Sequence, residues 1–574
     1  MTGIGRWVLQ GSRPGYALAL ALLVVGPLLR PGYLLLRDAV STPRSYLSDT
    51  ALGLSESAPR ATPQDFAVAL ASHLIDGGVV VKALLVVGLW LAGWGAALLV
   101  LAVLPEAGAS GQFVAITLAI WNPYVGERLL QGHWSLLVGY GCLPWVATTM
   151  LALRSGGGWP RFFGLAFWIA LAGLTPTGLM LAATVALVCV LAPGDGRPRW
   201  LCGAATLACA VVAALPWLTA TALGSSLPAE QGAAIAAFAA RAEPGLGTLG
   251  SLASLGGIWN GDAVPPSRAT LFAVAGAVVM LGVVAAGLPA VLRRPTAVPL
   301  LVLAAVSVLV PAALATGPGL HMLRTVVDVV PGLGVLRDGQ KWVALAMPGY
   351  ALAVAGAVLT LRRWVYPAVT ALICCAALLF TLPDLTWGVW GRVAPIHYPP
   401  GWAAVAAAVN DHSGAVAVLP AGSMRRFSWS GPAPVLDPLP RWVRADVLAT
   451  GDLTISGVTV PGEGTRARGV QQLLLAGADP AMLNRAGVAW LVVERATPGE
   501  IGSAARIFEH LPAVYRGPDL ALYRVSGESV GAPAGRRLTV LIAHFAWLAT
   551  LAVGAIGMAA AGWRRCRPLG SRRT

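Results

Sequence analysis

The chain has 574 residues, of which 57% are hydrophobic and only 11% charged, and its mean hydropathy is +0.72. That balance excludes an ordinary soluble domain and points to a polytopic membrane protein. The formal charge of +15 is spread as short arginine clusters between apolar runs, so it reads as a topology signal and not as a nucleic-acid surface.

In chain order, apolar runs suited to crossing a bilayer lie near 14–36, 81–104, 110–125, 136–153, 163–175, 177–192, 200–222, 269–291, 296–316, 341–361, 365–387 and 538–562, about twelve spans. No small-residue cleavage site follows the first run, which therefore reads as a retained span. Between 163 and 192 the stretch "LTPTG" breaks a helix at Pro176 and Gly178, giving two short spans with an outside turn. The pairs Arg154 and Arg161, Arg197 and Arg199, Arg293 and Arg294, Arg362 and Arg363, and the tail "WRRCRPLGSRRT" fall on one side if both termini are cytoplasmic; Arg536 and Arg537 run against this. The expected location is the cytoplasmic membrane, multi-pass, with segments 37–80, 126–135, 223–268, 317–340 and 388–537 outside.

The expected organisation is a multi-span domain over 1–387, an extracytoplasmic α/β domain over 388–537, a last transmembrane helix at 538–562 and a basic cytoplasmic tail at 563–574. Within 388–537, "GWAAVAAAVN" and "VQQLLLAG" read as helices, and "GAVAVLP", "VAWLVVER" and "LALYRVS" as strands. The seven cysteines lie in apolar spans or the tail, which suits packing and not a disulfide framework or a metal site. Walker, Rossmann and HExxH signatures do not occur, which disfavours an ATP-driven pump, a nicotinamide enzyme and a zinc protease.

Four polar stretches are candidates for chemistry. "GYLLLRDAVSTPRSYLSD", residues 32–49, places Arg37, Asp38, Arg44 and Asp49 at the mouth of the first span, where a charge is expensive unless paired, hydrated or functional. "WNPYVGERLLQGHWSLLVGYGCLPW", residues 121–145, holds Glu127, Arg128, His133 and Trp134 on the same side; an interfacial turn with an aromatic belt explains them equally well. "PGLGVLRDGQKW", residues 331–342, brings Arg337 and Lys341 to one face if helical. Such a cation pair suits a lipid-linked phosphate, or an anchor that snorkels to the interface. "GGIWNGDAVPPSR" offers Trp259, Asn260, Asp262 and Arg268 as sugar-binding groups, against the plainer reading of a solvated loop. In the α/β domain, Arg425, Arg426, Trp429, Asp437, Arg441 and Trp442 suit either carbohydrate or a loop packed on the membrane part.

An acid just after the first span, a second outside loop with Glu127 and His133, many spans and a C-terminal outer domain together resemble integral-membrane glycosyltransferases of the GT-C type. The likeness is nearest to the actinobacterial cell-envelope branch of arabinofuranosyl- and mannosyltransferases, and "GLGVLRDGQKW" is similar to a turn preceding a span in YfhO-like membrane proteins. The resemblance covers the layout and these short motifs. It implies a polyprenyl-phosphate sugar as donor and an envelope glycan or glycolipid, such as an arabinan or lipoglycan, as acceptor. It also implies an acid in the first outside loop as catalytic base, the place Asp38 occupies, with Glu127 as a second catalytic candidate. Donor phosphate would fall to Arg337 and Lys341 with Arg37, Arg44 or Arg128, and sugar or acceptor to Asp49, His133, Trp134, Trp259, Asn260 and Asp262. The loop reads "RD" and not a paired-acid motif, so a divalent metal stays open as a cofactor but is not indicated. Expected partners are membrane lipid, the lipid-linked donor, the acceptor and other envelope-biosynthesis proteins, and no nucleic acid. A transporter or flippase for a lipid-linked precursor, or a non-catalytic scaffold, are the alternatives.

Overall fold

The computed structural model describes residues 3–56, 59, 61–224, 235–412, 414–455, 458–529 and 531–566. Most of the predicted basic tail and part of the predicted loop 223–268 lie outside them.

A helix forms in every predicted apolar run. These are α1 (Gly3–Val25), α3 (Gly77–Val103), α4 (Gly108–Ile120), α6 (Trp134–Arg154), α7 (Pro160–Ala172), α8 (Pro176–Val190) and α9 (Arg199–Leu223), then helices at Phe272–Val291, Val298–Leu314, Met347–Leu361, Pro367–Phe380 and Ala534–Cys566. Two short polar-segment helices join them, α2 (Gln64–Ala71) and α5 (Pro123–Gln131). Among the described residues seven helices are long and apolar enough to cross a membrane, or nine if each of two bent pairs counts as one span. The expectation of about twelve was too high on this criterion: α4, α7 and α8 have 13, 13 and 15 residues, roughly 20 Å each against a hydrocarbon layer of about 30 Å.

Two other expectations need correction. The first span does not reach residue 36. Helix α1 stops at Val25, a single 3-10 turn covers Gly26–Leu29, and Pro27, Pro31 and Gly32 prevent the helix from resuming. Segment 317–340 is not a plain loop either, because Gly317–Val329 is a helix bent 93° from Val298–Leu314, followed by 3-10 turns. The break at "LTPTG" occurs as read, with the Thr175 side chain accepting from the Gly178 amide at 3.0 Å to cap α8. Small residues set the bundle's spacing: a Cβ on Gly141 of α6 would stand 2.2 Å from the Gly88 carbonyl of α3, so those backbones touch.

Beyond the bundle lies a four-stranded mixed sheet. Strand β3 (Ala415–Leu419) runs parallel to β8 (Val488–Glu494), which is antiparallel to β10 (Leu520–Arg524), itself antiparallel to the edge strand β9 (Ala513–Arg516). All seven residues of β8 are buried. Trp490 and Val492 join the core under helix Pro400–Asn410, while Leu491 and Val493 join the core under helix Thr465–Ala476, the period-two alternation of a strand covered on both faces. The predicted strands and helices of 388–537 thus form an α/β unit; β9 is the strand of this sheet that the sequence reading missed, along with the short strand pairs outside it.

One small element ties this unit to the bundle. Strands β1 (Leu35–Leu36) and β2 (Ala39–Val40) form a hairpin beside β5 (Val435–Leu436), which itself pairs with β4 (Met424–Arg425). The Arg37 amide donates to the Pro434 carbonyl at 3.0 Å and the Leu436 amide to the Arg37 carbonyl at 2.9 Å. Leu35 and Val40 belong to the same apolar core as Trp402 and Trp442.

Candidate active site

Helix α5 begins at Pro123 with Asn122 as its cap and ends at Gly132, whose φ of +85° closes the turn. That glycine is required twice over, because a Cβ there would also lie 2.4 Å from both Ala39 N and Leu36 O of the hairpin. The hairpin tip, Arg37–Asp38, therefore rests on the end of α5, and the Asp38 amide donates to the Gln131 carbonyl at 3.2 Å. Arg37 adopts φ +48°, an uncommon conformation for a side-chain-bearing residue, and its buried guanidinium holds it there by donating to the Leu130 carbonyl at 2.5 Å and the Asp262 carbonyl at 2.7 Å.

Asp38 sits deep among protein atoms, yet its side chain is 39% exposed. Its Oδ2 accepts from Gln131 Nε2 at 3.0 Å and lies 2.9 Å from His133 Nε2; among the described residues Oδ1 takes no hydrogen bond. His133 Nδ1 lies 3.1 Å from Arg128, which can only donate. The ring is thereby fixed as the neutral tautomer with its proton on Nε2, facing Asp38. Burial lowers the His133 pKa, and the nearby Lys341 and Arg128 cations add to this, outweighing Asp38. Burial alone would raise the Asp38 pKa, but the hydrogen bonds from His133 and Gln131 and the charge of Lys341 bring it below the usual carboxylate range.

Arg128 is fully buried and grips Asp338 with two hydrogen bonds of 2.9 and 3.0 Å and Gln340 with a third. Lys341, 25% exposed, stands 3.7 Å from Asp338 on the other side. Asp338 is held ionised well below its ordinary range, since Arg128 and Lys341 overcome its burial. Gln340 turns its amide to Glu127 at 3.0 Å. Glu127 is fully buried, and its two oxygens accept from the Gly257 and Ile258 amides at 3.1 Å each. Burial and the neighbouring Glu243 push its pKa up; Glu243 is itself paired with the buried Arg268.

The structure thus gathers Asp38, His133, Arg128 and Lys341 and separates other candidates from them. Glu127 fastens the 255–258 loop and the Gln340 amide, and Arg37 fastens the hairpin to two carbonyls. Arg44 contacts His73 at 2.5 Å, and Asp49 binds Arg537 at 3.0 Å and the Ala532 amide at 2.8 Å, tying the first loop to the last helix. Trp134 is buried. Trp259 packs edge-on against Phe238, and Arg337 stacks on the same Phe238 at 4.3 Å. The helical face expected to join Arg337 to Lys341 is not formed, because 331–346 folds as two 3-10 turns interrupted at Asp338. Asn260 donates to Gln131 at 2.8 Å and caps the next turn; the Asp262 carbonyl serves Arg37 and Arg392 while its side chain is exposed. Gln131 and Gln340 escaped the sequence reading, although Gln131 lies one turn from both Glu127 and Arg128 on α5. Among the described residues no three His, Cys, Asp or Glu side chains converge as a metal site would require.

No family model and no curated protein matches the chain by sequence. Solved structures do match: the cryo-EM structure of arabinofuranosyltransferase AftD from Mycobacteria superposes with a TM-score of 0.58 at 18% identity, over 91% of this chain and 40% of that one. The chain shares the fold of a mycobacterial arabinofuranosyltransferase. A mutant of AftD gives a TM-score of 0.53 over 92% of this chain and 42% of its own. The chain therefore spans about two fifths of AftD's length, and at this identity the likeness shows a shared fold.

Proposed function

We propose that the chain is a membrane glycosyltransferase that moves a sugar from a polyprenyl-phosphate donor to an envelope glycan or glycolipid at the outer face of the cytoplasmic membrane. The observation that carries the reading is Asp38: a carboxylate 39% exposed, kept ionised, beside a neutral imidazole and a lysine that is one quarter exposed. In the reaction the acceptor O–H gives its proton to Asp38 Oδ1 as its oxygen bonds to the anomeric carbon. The anomeric C–O bond to phosphate breaks, and the polyprenyl phosphate leaves with the electron pair. Lys341 is the cation placed to meet the charge that grows on that phosphate, and His133 and Gln131 orient the base. Arg128, Asp338 and Glu127 position these groups without touching substrate.

The test is transfer by purified protein in nanodiscs from a polyprenyl-phosphoryl sugar to an envelope-glycan acceptor. Asp38→Asn should lower kcat by at least a hundredfold with the thermal midpoint unchanged; full turnover by this variant would end the assignment. The transporter reading has one observation behind it, the two bent helix pairs at 93° and 75°, and predicts movement of labelled lipid across vesicles with no new glycosidic bond.

A further inference from the structure

The α/β unit contains a cavity of about 110 Å³, room for about four waters at ~30 Å³ each, enough to take one edge of a sugar ring. It opens beside the C-terminal half of β3, whose Ala417 and Val418 line it, and β3 is the strand parallel to β8. In open α/β sheets the ends of parallel strands are where ligands bind.

Its lining is mixed. Val447, Val470 and Leu474 contribute apolar surface, suited to the C–H groups of a ring. Ser423, Asp437, Arg441 and Gln471 line the cavity too, a mixture of acceptors and donors suited to hydroxyl groups. The charges are balanced from within. Arg425, also on the wall, is bound to Glu494 and lies 3.7 Å from Asp437, and Arg441 binds Asp65 at 3.2 Å. The two cations of the wall, Arg425 and Arg441, are each held by a carboxylate, so a phosphate meets no unpaired positive charge, while the hydroxyl of Ser423 and the amide of Gln471 suit a neutral polyol.

The cavity is also one strand away from the proposed base. Leu436 of β5 lines it, and the Leu436 amide bonds the carbonyl of Arg37, the residue before Asp38. We propose that this cavity is a subsite for one neutral sugar ring of the acceptor glycan, held outside the reacting position. The assignment to an acceptor rests on the transferase reading; the binding itself does not.

Full-length protein in nanodiscs is titrated with neutral pentofuranose and hexopyranose oligosaccharides of two to six units, with the free monosaccharides and with inorganic phosphate, and binding is read by saturation-transfer NMR. Wild type should bind at least one oligosaccharide series saturably, more tightly than its monosaccharide and without competition from phosphate. Gln471→Trp, which plugs the cavity from helix Thr465–Ala476, should weaken binding at least tenfold. Gln471→Ala, which removes one half-buried amide and leaves the space open, should weaken it about fivefold. Unaltered binding by folded Gln471→Ala, no saturable binding by wild type, or displacement by phosphate would overturn the proposal. Binding by the free monosaccharide alone would overturn the acceptor assignment. Asp38→Asn should bind as wild type; if it also transfers as wild type, the catalytic reading falls while the cavity stands.

Discussion

Asp338→Asn probes the buried centre of the site. Arg128 is fully buried, its two terminal nitrogens bond Asp338 at 2.9 and 3.0 Å, and its Nε has no hydrogen-bond partner among the described residues. An asparagine keeps one acceptor but turns an N–H toward the guanidinium and removes the anion that neutralises it. Breaking a buried pair from one side costs about 3–5 kcal/mol, mainly for the charge left behind. Lys341 loses its counter-ion at 3.7 Å but reaches solvent and adds little. Equilibrium unfolding of the full-length protein in mixed micelles measures this directly. The double variant Arg128→Met with Asp338→Leu replaces both charges by apolar bulk and should regain most of that stability. It should still lose transfer, because His133 Nδ1 no longer has a donor fixing its tautomer. A loss below about 1 kcal/mol for Asp338→Asn would refute the argument, since that is the scale of an exposed pair.

The pH dependence follows from two depressed pKa values. His133 titrates below its unfolded value, so the folded state holds fewer protons in that window and loses stability on acidification through it; Asp38 contributes stability above the ordinary carboxylate range that is lost as pH falls through its folded pKa. Transfer should accordingly persist below about pH 6.5, the ordinary histidine midpoint, and His133→Ala should move the acid limb of the rate profile upward because Asp38 loses a donor. Gly132→Ala sets a Cβ 2.4 Å from two backbone atoms at a φ of +85°; it should displace the hairpin tip, reduce kcat and raise protease sensitivity near residues 35–40. Glu127→Ala strips two buried amides of their acceptor and should lower stability by about 2–6 kcal/mol. Glu127→Gln should retain most activity, whereas comparable loss of kcat in Glu127→Gln and Asp38→Asn at full stability would return Glu127 to the catalytic machinery.

The helices were legible because the apolar runs are long and bounded by charge, and three of the four strands of the main sheet because they alternate or are wholly apolar between turn residues. The extent of the first span was not. "YLLL" at 33–36 is as apolar as the helix before it, and only the structure shows its first two leucines, Leu34 and Leu35, buried on opposite sides of the hairpin, Leu34 in the bundle core and Leu35 in that of the α/β unit. Asp38 was identified by its place in the chain, while its surroundings were not, because Arg128 meets Asp338 across 210 positions and Glu127 meets the Gly257 amide across 130. Nothing local in the sequence distinguishes an acid that faces an open recess from one that clamps a loop.

The hairpin has a mechanical consequence. One face of it, Leu35 and Val40, packs in the core of the α/β unit and the other, Leu36 and Ala39, in that of the bundle, so the carboxylate rides on the seam between the two cores while the imidazole that orients it stands at the start of α6 in the bundle. A load that shifts the α/β unit by even an ångström lengthens the 2.9 Å contact between them, which makes the reactivity of the base a gauge of how that unit is seated.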